Sequence, residues 1–115
     1  MIVTVYGIKN CSTVKKAQDW LDHHAIAYQF HDYKRVGVDE KQLAAWCAEL
    51  GWERVLNRAG TTFRALPEAD RQNLDRGKAI RLMAAQPSMI KRPIVDLGSR
   101  RLLGFSAELY QQNLL

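Results

Sequence analysis

The strongest constraint in this chain is an abrupt change of hydrophobic period around one thiol. Ile2-Val-Thr-Val-Tyr6 is an apolar, β-branched run that stops at Gly7, the pattern of a buried strand ending in a loop. The loop reads Gly7-Ile-Lys-Asn10, and from Cys11 onward apolar residues recur at Val14, Ala17 and Leu21, with His24 continuing the stripe. That spacing predicts an amphipathic helix, with Ser12 or Thr13 capping its free amides. Tyr28-Gln-Phe-His-Asp32 then alternates aromatic and polar residues and predicts a second strand. Joined through a helix, it lies parallel to the first. The result is a βαβ unit with Cys11 where strand gives way to helix.

Downstream, Asp39 is placed to cap a helix whose Leu43, Trp46, Cys47 and Leu50 share one face, and Gly51 stands where that helix ends. The segment 57–66 lacks a period and reads as a loop carrying Arg58, Gly60 and Arg64. A short helical turn is expected over 67–70, and a fuller helix over 75–86 with Ile80, Met83 and Ala84 inward. Beyond Pro87-Ser-Met-Ile-Lys-Arg-Pro93, strands at 94–97 and 101–104 flank a turn at Gly98-Ser99, and a helix starts at Ser106. The expected fold class is α/β, a mixed sheet built as βαβ, then a helical insert over about 39–86, then ββα. All 115 residues, 47% of them hydrophobic, are assigned to one domain.

The N-terminus carries no basic, apolar and small-residue sequence of a secretory signal, and no apolar run approaches ~20 residues, so a soluble, cytoplasmic protein without a membrane partner is expected. Two cysteines, Cys11 and Cys47, are too few for a disulfide scaffold or a zinc ribbon. His23, His24 and His31 lack ligand spacing and read as surface or packing residues, so no metal site is assigned. The net charge of +5 favours anionic partners or is simply a solvated basic surface. Nucleic acid is not expected among the partners, and no bound cofactor is assigned.

Thiolate is the reactive form of cysteine, and a free thiol near pKa ~8.5 is only slightly ionised at neutral pH. At a helix N-terminus, Cys11 faces unsatisfied amides that concentrate positive potential, with Lys9, Lys15 and Lys16 close in sequence. The competing reading packs Cys11 inertly under the first strand, but its position and flanking lysines favour an exposed, reactive thiol. Cys47 lies on an apolar helical stripe and reads as a small hydrophobe. Because Val14 occupies the third position after Cys11, no C-x-x-C pair is available to resolve a mixed disulfide internally. A monothiol route follows, with a second molecule regenerating Cys11. Among the arginines, Arg58, Arg64, Arg92, Arg100 and Arg101 are open to anion contacts or to surface ion pairs.

The segments Tyr6-Gly-Ile-Lys-Asn-Cys-Ser-Thr-Val-Lys-Lys16, Asn57-Arg-Ala-Gly-Thr-Thr62 and Pro87-Ser-Met-Ile-Lys-Arg-Pro-Ile94 together resemble the arsenate reductase (ArsC) family. Within it the chain is most similar to the YffB-type branch, related to the Spx regulators. The resemblance spans nearly the whole chain. It implies a thioredoxin-like, glutaredoxin-like sheet with a helical insert, a nucleophile at Cys11, a cis peptide at Arg92-Pro93, and Arg92 facing an anionic or thiol ligand. It further implies glutathione as co-substrate, or a thiol reductase in its place, acting on an anionic or disulfide substrate. In that scheme Ser12 and Thr13 amides stabilise charge, Lys9, Lys15, Arg58 and Arg92 orient the partner, and Pro93 shapes the pocket floor.

Two polar groups of the glutaredoxin-coupled arsenate reductases are missing: Gly7 stands at a histidine position, and Gly104-Phe105 in place of a hairpin arginine. These departures move the expectation from arsenate toward a disulfide or glutathione-linked substrate. Arsenate reduction remains a third reading. A regulator that binds RNA polymerase without catalysis, as the Spx branch implies, is the alternative to a thiol oxidoreductase.

Overall fold

The computed structural model describes residues 2–115. Its elements run β1 (Val3–Gly7), α1 (Ser12–His23), β2 (Tyr28–Asp32), α2 (Tyr33–Val36), α3 (Glu40–Leu50), α4 (Trp52–Val55), α5 (Thr61–Arg64), α6 (Glu68–Arg71), α7 (Arg76–Ala85), β3 (Ile94–Asp96), β4 (Arg101–Leu103) and α8 (Ala107–Leu114). The chain forms two compact units, one holding residues up to Val36 together with Arg92–Leu115, the other Gly37–Lys91. No helix among the described residues is long and apolar enough to cross a membrane.

The first unit carries a four-stranded mixed sheet in the order β2-β1-β3-β4. Strand β1 pairs in parallel with β2, from Val3 opposite Tyr28 to Gly7 opposite Asp32, and antiparallel with β3, while β3 pairs antiparallel with β4. This is the expected thioredoxin-like βαβ and ββα arrangement. Alternation along β1 buries Val3, Val5 and Gly7 and leaves Thr4 and Tyr6 partly exposed, as period-2 side chains require. Val3 and Val5 cluster with Val95, Leu97 and Leu102, and the helices contribute Ala17 and Leu21 from α1 and Tyr110 from α8. Tyr110 is fully buried, its ring meets Trp20 at 5.5 Å and Phe105 at 5.0 Å edge-on, and its hydroxyl donates to the Gly104 carbonyl at 2.8 Å. Burial raises the Tyr110 pKa far above neutrality, so the hydroxyl keeps the proton it donates.

The second unit is helical. The Asp39 side chain accepts from the Gln42 amide at 2.7 Å, and Asp75 accepts from Lys78 at 2.8 Å, so α3 and α7 begin where aspartate offers an N-cap. Gly51 ends α3 at φ 91°, a conformation costly for any residue with a Cβ. Leu43, Trp46 and Cys47 are buried on α3, and Ala79, Ile80 and Met83 on α7. Two expectations change here. The stretch 57–66, expected as a loop, contains the short helix α5, with Phe63 buried. On α7, Ala79 takes the buried place expected for Ala84, which is half-buried. One buried side chain per short helix gives too little periodicity to read.

One close approach in the first unit fixes the entry to α1. A Cβ built on Gly7 would lie 2.8 Å from Val14 Cγ2 and 3.3 Å from Val14 Cγ1. Only glycine lets the end of β1 pass so near the first turn of α1, and that turn carries the amides beneath Cys11. Gly7→Ala therefore overpacks a rigid β-branched neighbour and is expected to cost about 1–3 kcal/mol in urea unfolding; an unchanged midpoint with unchanged slope would show that the contact relaxes freely.

Candidate functional site

The local sequence builds the site in three steps. Asn10 takes the left-handed conformation at φ 61°, tolerated by asparagine better than by most residues, and turns the chain off β1. Cys11 follows in an extended conformation at φ −106° and ψ 122°, the backbone of an N-cap residue. Its carbonyl then accepts the first helical hydrogen bond from the Lys15 amide at 2.9 Å. Cys11 thus holds the capping position expected for Ser12 or Thr13. It makes no side-chain cap of the oxygen type, and its sulfur occupies the space such an oxygen would fill.

Cys11 is half-buried rather than exposed. Burial pushes its pKa up, but the Val14 amide, a hydrogen bond from the Arg92 side chain, the Thr13 amide and the Arg92 charge together outweigh it. The net pKa lies below the ordinary thiol value, so the thiolate is more favoured than in a free cysteine. Val14 and Thr13 stand third and second into the helix, the amides an N-cap group reaches. The amide pair is therefore Thr13 and Val14, not Ser12 and Thr13; Ser12, the first helical residue, has an exposed side chain. Lys9, Lys15 and Lys16 are exposed and are not among the charges that lower the thiol pKa. Lys15 reaches Asp19 at 3.4 Å.

Arg92 arrives from the other end of the first unit, immediately before Pro93, and the Arg92–Pro93 peptide is cis. Pro93 is buried, and its carbonyl accepts from the Gly104 amide at 2.8 Å, which ties the start of β3 to the end of β4. The Arg92 guanidinium donates to Cys11 and to the Tyr33 hydroxyl, and these contacts outweigh the effect of burial, so it stays charged. Tyr33, the first residue of α2, is fully buried. The sequence reading missed it. Its one signal was Asp32, which accepts from the Lys34 and Arg35 amides at 3.1 and 3.3 Å and so starts a turn directly after β2.

A groove of about 710 Å³ opens beside the sulfur, with Ile8, Val14 and Phe30 as apolar lining and Lys9, Asn10, Ser12, Lys15 and Gln18 around them. Lys9, Ser12 and Lys15 thus gather near Cys11, as groove-lining groups. Pro93, expected as the pocket floor, does not line this groove. Arg58 belongs to the second unit and is exposed there. Cys47 is buried, which raises its pKa against the opposing charge of Arg76. The histidines pack: His24 stacks on Trp20 at 4.0 Å, and His31 meets Tyr6 at 4.8 Å.

An uncharacterized protein of Haemophilus influenzae is 42% identical over 110 residues, covering 96% of each chain. The global transcriptional regulator Spx of Streptococcus mutans is 26% identical over 109 residues, covering 93% of this chain and 79% of its own. A solved YffB protein superposes with a TM-score of 0.96 at 59% identity, over 98% of this chain and 99% of that one. An arsenate reductase (ArsC) related protein from Brucella melitensis superposes at 0.78 with 50% identity, over 98% and 94%. The profile of the ArsC family matches residues 6–113, nearly the whole sequence and the entire site around Cys11, and the chain is a member of the ArsC family.

Proposed function

We propose that this protein is a glutathione-dependent thiol oxidoreductase acting through Cys11 alone. The observation that carries this reading is the contact of the Arg92 guanidinium with the Cys11 sulfur at a helix N-terminus, which favours the thiolate. In the first step the Cys11 thiolate attacks the glutathione sulfur of a mixed disulfide. A Cys11–glutathione disulfide forms and the substrate leaves as a thiolate. In the second, a glutathione thiolate attacks that disulfide, releasing oxidised glutathione and restoring the Cys11 thiolate. No second thiol is required, in keeping with Val14 at the third position after Cys11.

The groove lined by Ile8, Val14 and Phe30 suits the organic part of a disulfide better than a bare oxyanion. The close approach of Gly7 to Val14 leaves no space for the histidine that the arsenate-coupled pattern implies. Both observations support a disulfide substrate over arsenate. Relatives named as Spx global transcriptional regulators support a second reading, a regulator that binds RNA polymerase.

The test is turnover of a glutathionylated peptide with glutathione as reductant. Cys11→Ser is expected to abolish it with the fold intact. Cys47→Ser keeps it and costs about 1–3 kcal/mol in stability, because a hydroxyl replaces a buried thiol. Equal turnover by wild type and Cys11→Ser would refute the mechanism, and binding to a purified polymerase subunit without turnover would favour the regulator. Arg92→Ala is expected to lower kcat/KM about tenfold or more through loss of a charge-assisted hydrogen bond; an unchanged kcat/KM would remove Arg92 from the site.

A further inference from the structure

We propose that Tyr33 is a positioning residue that holds the Arg92 guanidinium against the Cys11 sulfur. An arginine side chain is long and flexible, and its fork of N–H groups donates but never accepts. Arg92 here donates in two directions, to Cys11 and to the Tyr33 hydroxyl. The Tyr33 ring is fully buried and begins α2, a turn started by the Asp32 carboxylate, so its oxygen is a fixed acceptor. A guanidinium bound at one point to a fixed oxygen has little freedom to swing away from the sulfur.

The chemistry of the acceptor matters as much as its position. A carboxylate in that place would pair with Arg92 and cancel much of the field at Cys11. Burial raises the Tyr33 pKa well beyond the physiological range, although Arg92 pulls it down and the Cys11 and Asp32 charges push it further up. The phenol therefore stays neutral. Asp32, the carboxylate adjacent in sequence, is engaged by the Lys34 and Arg35 amides. Lys9 and Lys15 line the groove beside Cys11. The Tyr33 to Arg92 contact also joins the two ends of the first unit between which residues 37–91 are inserted. The Tyr33 hydroxyl bears on activation of the thiol, whatever disulfide, oxidant or partner meets it.

The experiment is the pH dependence of Cys11 alkylation by iodoacetamide in a Cys47→Ser background, with and without Tyr33→Phe. The phenyl ring keeps the packing and loses only the acceptor. The thiol pKa is expected to rise by about 0.5–1, and to show no further rise when Tyr33→Phe is added to Arg92→Ala. An unchanged pKa, or an equal rise without Arg92, would overturn the assignment. Arg92→Lys keeps the charge but lacks the planar fork of donors, so it serves should Tyr33→Phe fold poorly; the Cys11 pKa is expected to rise as well, and a wild-type value would overturn the proposal. Since glutathione takes no part, failure here leaves the oxidoreductase reading standing, and failure of that reading leaves this one.

Discussion

The site depends on one electrostatic contest at the Cys11 sulfur. Partial burial disfavours a charged thiolate, and the amides of Val14 and Thr13 with the Arg92 guanidinium must outweigh it. Neither source would suffice in an arbitrary geometry. A helix terminus concentrates its field within the first turn, which demands that Cys11 be the N-cap residue itself. Arginine acts at hydrogen-bond range, which demands that a segment 81 positions downstream return to the same place.

The fold supplies both. Strand β1 lies at the centre of the sheet, paired with β2 on one side and β3 on the other, so the loop after β1 meets the segment that enters β3. Gly7 brings the end of β1 against Val14, and Asn10 turns the chain so that Cys11 caps α1. Tyr110 fastens α8 to the Gly104 carbonyl, and the Gly104 amide in turn donates to Pro93. The core cluster of Val5, Leu21, Val95 and Tyr110 is thus the frame on which the reactive groups are mounted.

Much of this was legible in the sequence because the relevant signals are local. The period change at Gly7, the Val14, Ala17 and Leu21 stripe, the cap at Asp39, the helix starts at Asp75 and Ser106, and the strand at 28–32 all rest on neighbours within a few residues. What escaped was non-local or too short. Helix α5 buries only Phe63 and offers no period. Tyr33 owes its role to Arg92, far along the chain, and an isolated Asp-Tyr pair carries no mark of that. The lysines near Cys11 misled for a related reason: nearness in sequence places Lys9 and Lys15 around the groove, while the charged side chain that acts on the sulfur is that of Arg92. Ser12 and Thr13 looked like caps by residue type, yet the backbone gives that place to the thiol.

The chemistry of the site rests on an activated Cys11, and the direct measurement is its ionisation in a Cys47→Ser background, followed by thiolate absorbance or alkylation rate across pH. A midpoint below the free-thiol value of about 8.5, moving upward in Arg92→Ala, is the predicted result. A midpoint at or above that value, insensitive to Arg92, would contradict the central claim and leave Cys11 a structural N-cap.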